Sequence, residues 1–437
     1  MSKFFVRFLT IVCLAVVNVS CIYEYPPDGP EDDGILSDKD KVVLKIDVQP
    51  ITPSTSANPE ERIKSLRVVI VSKAEDDESA DIIECNRLLD MSDMAALGYS
   101  RTWTWQSMSA EKDIFVIANE ESAGPNLPKL LSSYPEGKEA RDFVEEVEGY
   151  YFAPEYKTED GKIYLPYSFS RKGLIPQSGV VNNIKAWLIP VATKFVFNFT
   201  NSRENAININ GISMSKANVS NYLLARPGSG ELLKQYNGQT ISWIDWLAAI
   251  SRESWNYPDY SGNDGFNSDV GWIADYELPN LADAQVYTFV AENSEDTFSV
   301  KGATSTVVNG ETVVTPTTRT TPVYYIPESA NFIVPEGSDD NSSGNGTGET
   351  PTKQQMFFLT ILLEDTGGTQ APPFNEVAIP NLGALFRNTY VIIDVNMSEG
   401  DIEVYAEIAP WTEKEANGWV EDGDAPANNP FKIKKKW

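Results

Sequence analysis

Val42-Val43-Leu44-Lys45-Ile46-Asp47-Val48 alternates without a break. In an extended chain successive side chains point to opposite faces, so Val42, Leu44, Ile46 and Val48 share one face and Val43, Lys45 and Asp47 the other. The pattern predicts a strand with one buried side. Outward from it, Leu66-Arg67-Val68-Val69-Ile70-Val71 and Asp113-Ile114-Phe115-Val116-Ile117-Ala118 are shorter and more continuously apolar, as central strands are. Phe195, Phe197 and Phe199 alternate along a further segment. Val391, Ile393, Val395 and Met397 do so near the end, followed by Ile402, Val404, Ala406 and Ile408. Ser398-Glu399-Gly400 between those two runs predicts a C-terminal hairpin. Helical spacing is confined to residues 139–147 and to 243–250, the latter behind the cap candidate Ser242. The expected fold is all-β, with β-sandwich domains carrying small helical insertions.

The organisation follows from breaks in these patterns. Pro176-Gln177-Ser178-Gly179 precedes a new run of strands, which divides the chain into domains at 41–185 and 186–412. Within the second, residues 337–352 include Ser338-Asp339-Asp340-Asn341-Ser342-Ser343-Gly344, a composition that buries nothing and reads as a flexible surface loop. Residues 413–437 read as a tail. At the other end, Lys3 and Arg7 precede the apolar run from Phe8 to Val17, and Ser20 stands directly before Cys21. Residues 1–20 therefore read as a lipoprotein signal peptide. Cleavage would free Cys21 for acylation, and each buried methylene of an acyl chain contributes about 0.8 kcal/mol to anchoring. Residues 21–40, with Glu24, Asp28, Glu31, Asp32 and Asp33 among prolines and glycines, read as an acidic tether next to the lipid.

Composition narrows the chemistry. The chain has 35 basic and 63 acidic residues and a formal charge of −28, a field that repels nucleic acid and anionic lipid. It contains no histidine, which excludes Ser–His–Asp and Cys–His arrangements and removes the commonest zinc and iron ligand. Once Cys13 leaves with the signal and Cys21 is acylated, Cys85 is the one free thiol; it reads as a small buried residue. Asp259, Asn263, Asp264, Asn267 and Asp269 resemble an oxygen-ligand loop, but the glycine and closing glutamate of an EF-hand are misplaced. Neither a metal site, a cofactor nor a catalytic set can be assembled, and the expectation is that the protein is not an enzyme.

Ile51-Thr52-Pro53-Ser54-Thr55-Ser56-Ala57-Asn58-Pro59-Glu60-Glu61-Arg62 joins the first strand to the next and is far too long for a tight hairpin. Its single basic residue, Arg62, is a candidate processing site. A cut there would detach the strand at 41–48, with Val42, Leu44, Ile46 and Val48, together with the lipid. The groove left behind would accept a strand from another subunit.

With these residues in view the chain resembles the Bacteroidales fimbrillins, lipoprotein precursors of fimbrial subunits and their anchor and tip relatives. The resemblance lies in the signal ending at Cys21, in the strand–loop–strand opening from Val42 to Val71, and in Lys112-Asp113-Ile114-Phe115-Val116-Ile117-Ala118-Asn119-Glu120. It also lies in Tyr324-Tyr325-Ile326-Pro327-Glu328-Ser329, in Arg387-Asn388-Thr389-Tyr390-Val391-Ile392 and in the closing strand before Pro410-Trp411. It implies two transthyretin-like β-sandwich domains, passage to the outer membrane as a lipoprotein, and assembly with other fimbrial subunits by protease-triggered strand exchange. Shaft precursors of that family carry an arginine well before the next strand. Here Arg62 stands only four positions before Leu66, so shaft and anchor roles both remain open.

Two further readings complete the expectations. Phe431-Lys432-Ile433-Lys434-Lys435-Lys436-Trp437 places Phe431, Ile433 and Trp437 on one face when extended, a candidate donor strand for a neighbouring subunit. The alternative function is a surface glycan-binding or tip-adhesin lipoprotein. It would use the aromatic-rich segment 243–272, with Trp243, Trp246, Trp255, Tyr257, Tyr260 and Trp272, to meet a host or glycan ligand.

Overall fold

A computed structural model describes residues 41–50, 63–74, 79–90, 101–154, 157–159, 162–226, 234–236, 239–241, 279, 285–330, 332–333, 354–355, 357–366, 374–378, 384–399, 401–410 and 432–436. The signal and tether, the loop 51–62, the segment 243–272 and the loop 337–352 lie outside these residues.

The first domain contains β1 (Lys41–Pro50), β2 (Ser65–Ser72), β3 (Ile82–Asp90), β4 (Arg101–Met108) and β5 (Lys112–Ala118). Helices α1 (Asn126–Ser132) and α2 (Arg141–Glu148) follow, then β6 (Tyr151–Phe152), β7 (Tyr167–Leu174) and β8 (Val181–Pro190). The main strand order is β3-β2-β5-β7-β8-β1-β4. β8 joins two layers. Its end, Ile189 and Pro190, pairs with Ser168 and Tyr167 of β7, while Val181 to Leu188 run parallel to β1 from Val43 to Pro50. Between the layers Val42, Leu44, Ile46 and Val48 meet Leu66, Val68, Ile70, Ile114 and Val116 in one core.

A second core explains why β2 and β5 read as continuously apolar. Val69, Val71, Phe115 and Ile117 on their other faces pack beneath Leu127 and Leu131 of α1 and Phe143 and Val147 of α2. The helix expected at 139–147 is α2. Arg67, the one charge inside β2, is buried under this helical layer against Glu120, with Nε–Oε2 at 2.5 Å and Nη2–Oε1 at 2.8 Å.

The second domain begins with β9 (Thr193–Asn201), β10 (Ile207–Ala217), β11 (Asn221–Tyr222), β12 (Gln285–Val290) and β13 (Phe298–Val300). It continues with β14 (Thr304–Val308), β15 (Glu311–Thr315), β16 (Thr317–Thr320), β17 (Tyr324–Ile326), β18 (Phe358–Asp365) and β19 (Phe374–Ala378). It closes with β20 (Thr389–Ser398), β21 (Asp401–Pro410) and β22 (Lys432–Lys436). One sheet runs β16-β9-β20-β21-β22, with β17 also on β9; the other runs β12-β10-β18-β19, with β13 also on β10. Phe195, Phe197 and Phe199 point between them, against residues including Ile209, Phe289, Ile361 and Val395. β20 and β21 form the predicted C-terminal hairpin, with Ser398 opposite Asp401. The all-β expectation holds, and each half is a two-layered sandwich.

The expected division between 185 and 186 falls inside β8, which runs on through the fully buried Val191 and Ala192 into β9. Pro176–Gly179 is instead a turn leading into β8, where the Asn182 amide accepts a hydrogen bond from Gln177 N at 2.8 Å and donates to Gln177 O at 3.0 Å. A second crossing reinforces the connection. β11 pairs with β6 of the first domain, and Leu223 and Leu224 enter the core under the helices. Arg387 holds this crossing from the other side, donating to Leu223 O at 3.1 Å and Tyr222 O at 2.9 Å while ion-paired with Glu328 at 2.6 Å. Both ions are almost wholly buried, so each depends on the other.

Candidate strand-exchange groove

β1 lies inside the sheet, with β8 on one side and β4 on the other. Val42, Leu44, Ile46 and Val48 are at most 3% exposed. Burying each stabilises the fold by about 1.5–3 kcal/mol, as an upper estimate. Two polar contacts fix the lateral fit: Thr102 of β4 donates to Asp47 at 2.5 Å, and Asn182 of β8 donates to Val43 O at 3.4 Å. Trp103 and Trp105 of β4 stack at 5.3 Å and pack against the same core. Trp105 donates to Glu84 at 3.0 Å, which ties this outer strand to β3 across the sandwich.

Taking β1 away would uncover a trough floored by Val68, Ile70 and Val116 and walled by Ile184, Ala186 and Leu188. It would also unpair the backbone of β8 from 181 to 188. The chain just downstream would stay seated. Ile63 is buried in the core, and the amides of Lys64 and Ser65 donate to Asn119 Oδ1 at 2.7 and 3.3 Å. Asn119 is itself buried in a left-handed conformation, φ 51°, and donates to Leu165 O at 2.7 Å. Arg62 lies outside the described residues, directly before this pinned start.

The polar residues of the motifs singled out in the sequence are internal pins. Lys112 is fully buried against Glu84 at 2.7 Å and Ser72 at 2.8 Å. Asp113 pairs with Lys73 at 2.8 Å, and Lys73 also reaches Asp81 at 2.9 Å. Burial alone would lower the Lys73 pKa, but these two carboxylates outweigh it and raise it. Glu328 and Arg387 form the pair described above; Ser329 Oγ accepts from Asn218 N at 2.8 Å, and Asn388 N donates to Ala192 O at 3.0 Å. Cys85 is buried as expected, and burial pushes its thiol pKa well up, so it is not an activated nucleophile.

The remaining sequence-derived sites fall as follows. Cys21, Phe431 and Trp437 lie outside the described residues, as do the aromatic segment 243–272 and the acidic loop at 259–269. Ile433 lies in β22, opposite Val404 of β21, so the tail strand pairs with its own chain. Among the described residues no three metal-binding side chains converge, and no helix is long and apolar enough to cross a membrane. Sequence reasoning passed over β4, although Thr102-Trp103-Thr104-Trp105 alternates as plainly as β1 does.

Comparison with known proteins gives a consistent but distant likeness. No protein-family model and no curated protein matches the chain. Among solved structures it is similar to the tip fimbrial protein Mfa3 from Porphyromonas gingivalis, with C-terminal truncation, at 14% identity and a TM-score of 0.41, covering 85% of this chain and 100% of that one. It is also similar to a fimbrial assembly protein from Parabacteroides distasonis, at 11% identity and a TM-score of 0.38, covering 85% and 98% respectively. At these values the likeness decides neither fold nor role, which rest on the strand pairing and the residues themselves.

Proposed function

We propose that this chain is a structural subunit of a cell-surface fimbria, exported as an outer-membrane lipoprotein through Cys21 and assembled with other subunits by strand exchange, as shaft or anchor. The observation that carries the reading is the setting of β1. It is an interior strand with four buried apolar side chains, and the chain on the far side of Arg62 is pinned independently at Ile63, Lys64 and Ser65. A cut after Arg62 leaves a folded remainder with an open, apolar, hydrogen-bonding trough, the geometry that strand addition requires. The tail with Phe431, Ile433 and Trp437 is the donor in this reading, and it leaves β21 to reach a neighbour. Its lysines then meet a strongly acidic partner.

N-terminal analysis of the protein taken from the cell surface tests the proposal. A start at Ile63 identifies a polymerising subunit and an acylated Cys21 an anchor. Any other start removes the basis of the reading. Mixing chains trimmed after Arg62 with full-length chains, or with chains truncated at Asn429, then tests the donor. Equal assembly in both mixtures would exclude the tail.

A further inference from the structure

β14 and β15 form a hairpin that stands apart from both sandwiches as a two-stranded sheet. Every residue of both strands is exposed. The register runs from Thr304 opposite Thr315 to Val308 opposite Glu311, closed by Asn309 and Gly310 at φ 54° and 86°. Two left-handed residues in succession make the tight turn that matches strand twist. Val307 and Val314 lie diagonally on one face, Val308 and Val313 on the other, and these four are 45–73% exposed. A lone two-stranded ribbon is marginal in water. Natural sheets also protect open edges with lysine, proline or bulges, none of which interrupts residues 304–315.

The base of this arm is firmly built. A Cβ on Gly302 would sit 1.9 Å from Glu204 O, so the chain passes against backbone where only glycine fits. Ala303 N donates to Arg203 O at 2.7 Å, and Thr317 Oγ1 donates to Gly302 O at 3.0 Å. Arg319 lies 4.6 Å over the Phe298 ring and donates to Ser299 O at 2.9 Å. The arm is therefore presented from a fixed root.

We propose that this arm is a self-association surface, and that its occupant is the same arm of a second copy, paired edge to edge along β14 about a two-fold axis at Thr306. Charge selects the partner. The chain as a whole carries −28, so most of its surface repels another copy, whereas residues 297–327 hold Lys301 and Arg319 against the single acid Glu311. With so few charges, this stretch adds little to the repulsion between two copies. Charge also selects the edge, because β14 has no ionisable residue while β15 carries Glu311. The pairing extends two marginal hairpins into one four-stranded sheet and joins their valines. It does not depend on strand exchange.

The test uses the chain with Cys13→Ser and Cys21→Ser, in which buried Cys85 is inert. Sedimentation at roughly 0.1–1 mM should show dimer, since small interfaces bind in this range. Val307→Lys should shift it to monomer by at least about tenfold in Kd, with an unchanged melting temperature because the side chain is exposed. On mild oxidation Thr306→Cys should give a covalent dimer, and Val313→Cys should not. Removing residues 430–437 should leave the dimer intact, which separates this contact from the proposed donor strand. A wild-type chain that stays monomeric, equal cross-linking by the two cysteines, no cross-linking by either, or loss of the dimer with the tail would each overturn the proposal.

Discussion

β1 and β9 hold corresponding places in their domains and are tied to them in opposite ways. Each opens its domain, lies inside a sheet, runs parallel to a strand far along the chain, β8 or β20, and buries one apolar face. β9 is continuous with β8 through Val191-Ala192. It is also fastened there by Asn388 N to Ala192 O at 3.0 Å and by Thr193 Oγ1 to Phe386 O at 2.8 Å. β1 runs on instead into residues 51–62 and then β2, a strand that is not its neighbour in the sheet. Burial makes both strands necessary to the core; under the strand-exchange proposal, chain connection is what distinguishes β1 from β9.

The largest expected effect tests the fastening between domains. Arg387→Ala leaves Glu328 buried without its guanidinium partner and frees Tyr222 O and Leu223 O. It should cost about 3–5 kcal/mol. Because those carbonyls belong to the crossing into the first domain, denaturant unfolding should shift both domains together. A shift confined to the second would show that the crossing does not couple them. Leu44→Ala comes next, at about 2–5 kcal/mol, and should move the first domain's transition alone. If Phe197→Ala in β9, at about 3–5 kcal/mol, also moved only one domain, the contrast between the strands would weaken.

Gly302→Ala should cost about 1–3 kcal/mol, since a methyl group there must displace the Glu204 backbone. Hydrogen exchange should quicken at Ala303 and through β14 and β15, with β1 unaffected. The smallest effect appears in alkali. Burial, then the hydrogen bond to Glu146 and nearby acids, raise the Tyr134 pKa to about 12. Its neutral phenol is favoured by the fold, so this contribution is complete below about pH 10, the usual phenol value, and is lost as the pH climbs through about 12. Burial raises the Tyr287 pKa in the second domain to about 12 as well. Tyr134→Phe should therefore remove about 1 kcal/mol of pH-dependent stability from the first domain only, read as a flatter unfolding profile.

What the sequence disclosed is what alternation and local turns encode. β1, the Phe195-Phe197-Phe199 face and the β20–β21 hairpin are visible because a half-buried strand repeats every two residues. The same rule should have yielded β4, and Val308-Asn309-Gly310-Glu311 between β-branched runs is a strong hairpin signal that went unread. Other features have no local signature. The parallel pairing of β1 with β8 joins segments far apart in the chain. β11 is two residues long and has no period to detect. Arg387, Lys112 and Arg67 look like surface charges in composition and are buried in the fold. Pro176–Gly179 resembles a linker in composition but is a turn between β7 and β8. For the candidate groove, the sequence supplied the apolar face of β1, while the strands on either side of it needed three dimensions.

Parallel pairing of β1 and β8 has a mechanical consequence. The chain enters this pair at the start of β1 and leaves toward the second domain at the end of β8, so those two points lie at opposite ends of a matched ladder from Val43–Val181 to Pro50–Leu188. Tension between the N-terminal side and the second domain then acts along the strands, and the rungs bear it together in shear instead of peeling one at a time. A chain anchored by its beginning and pulled from its far domain would resist through the whole length of its first strand.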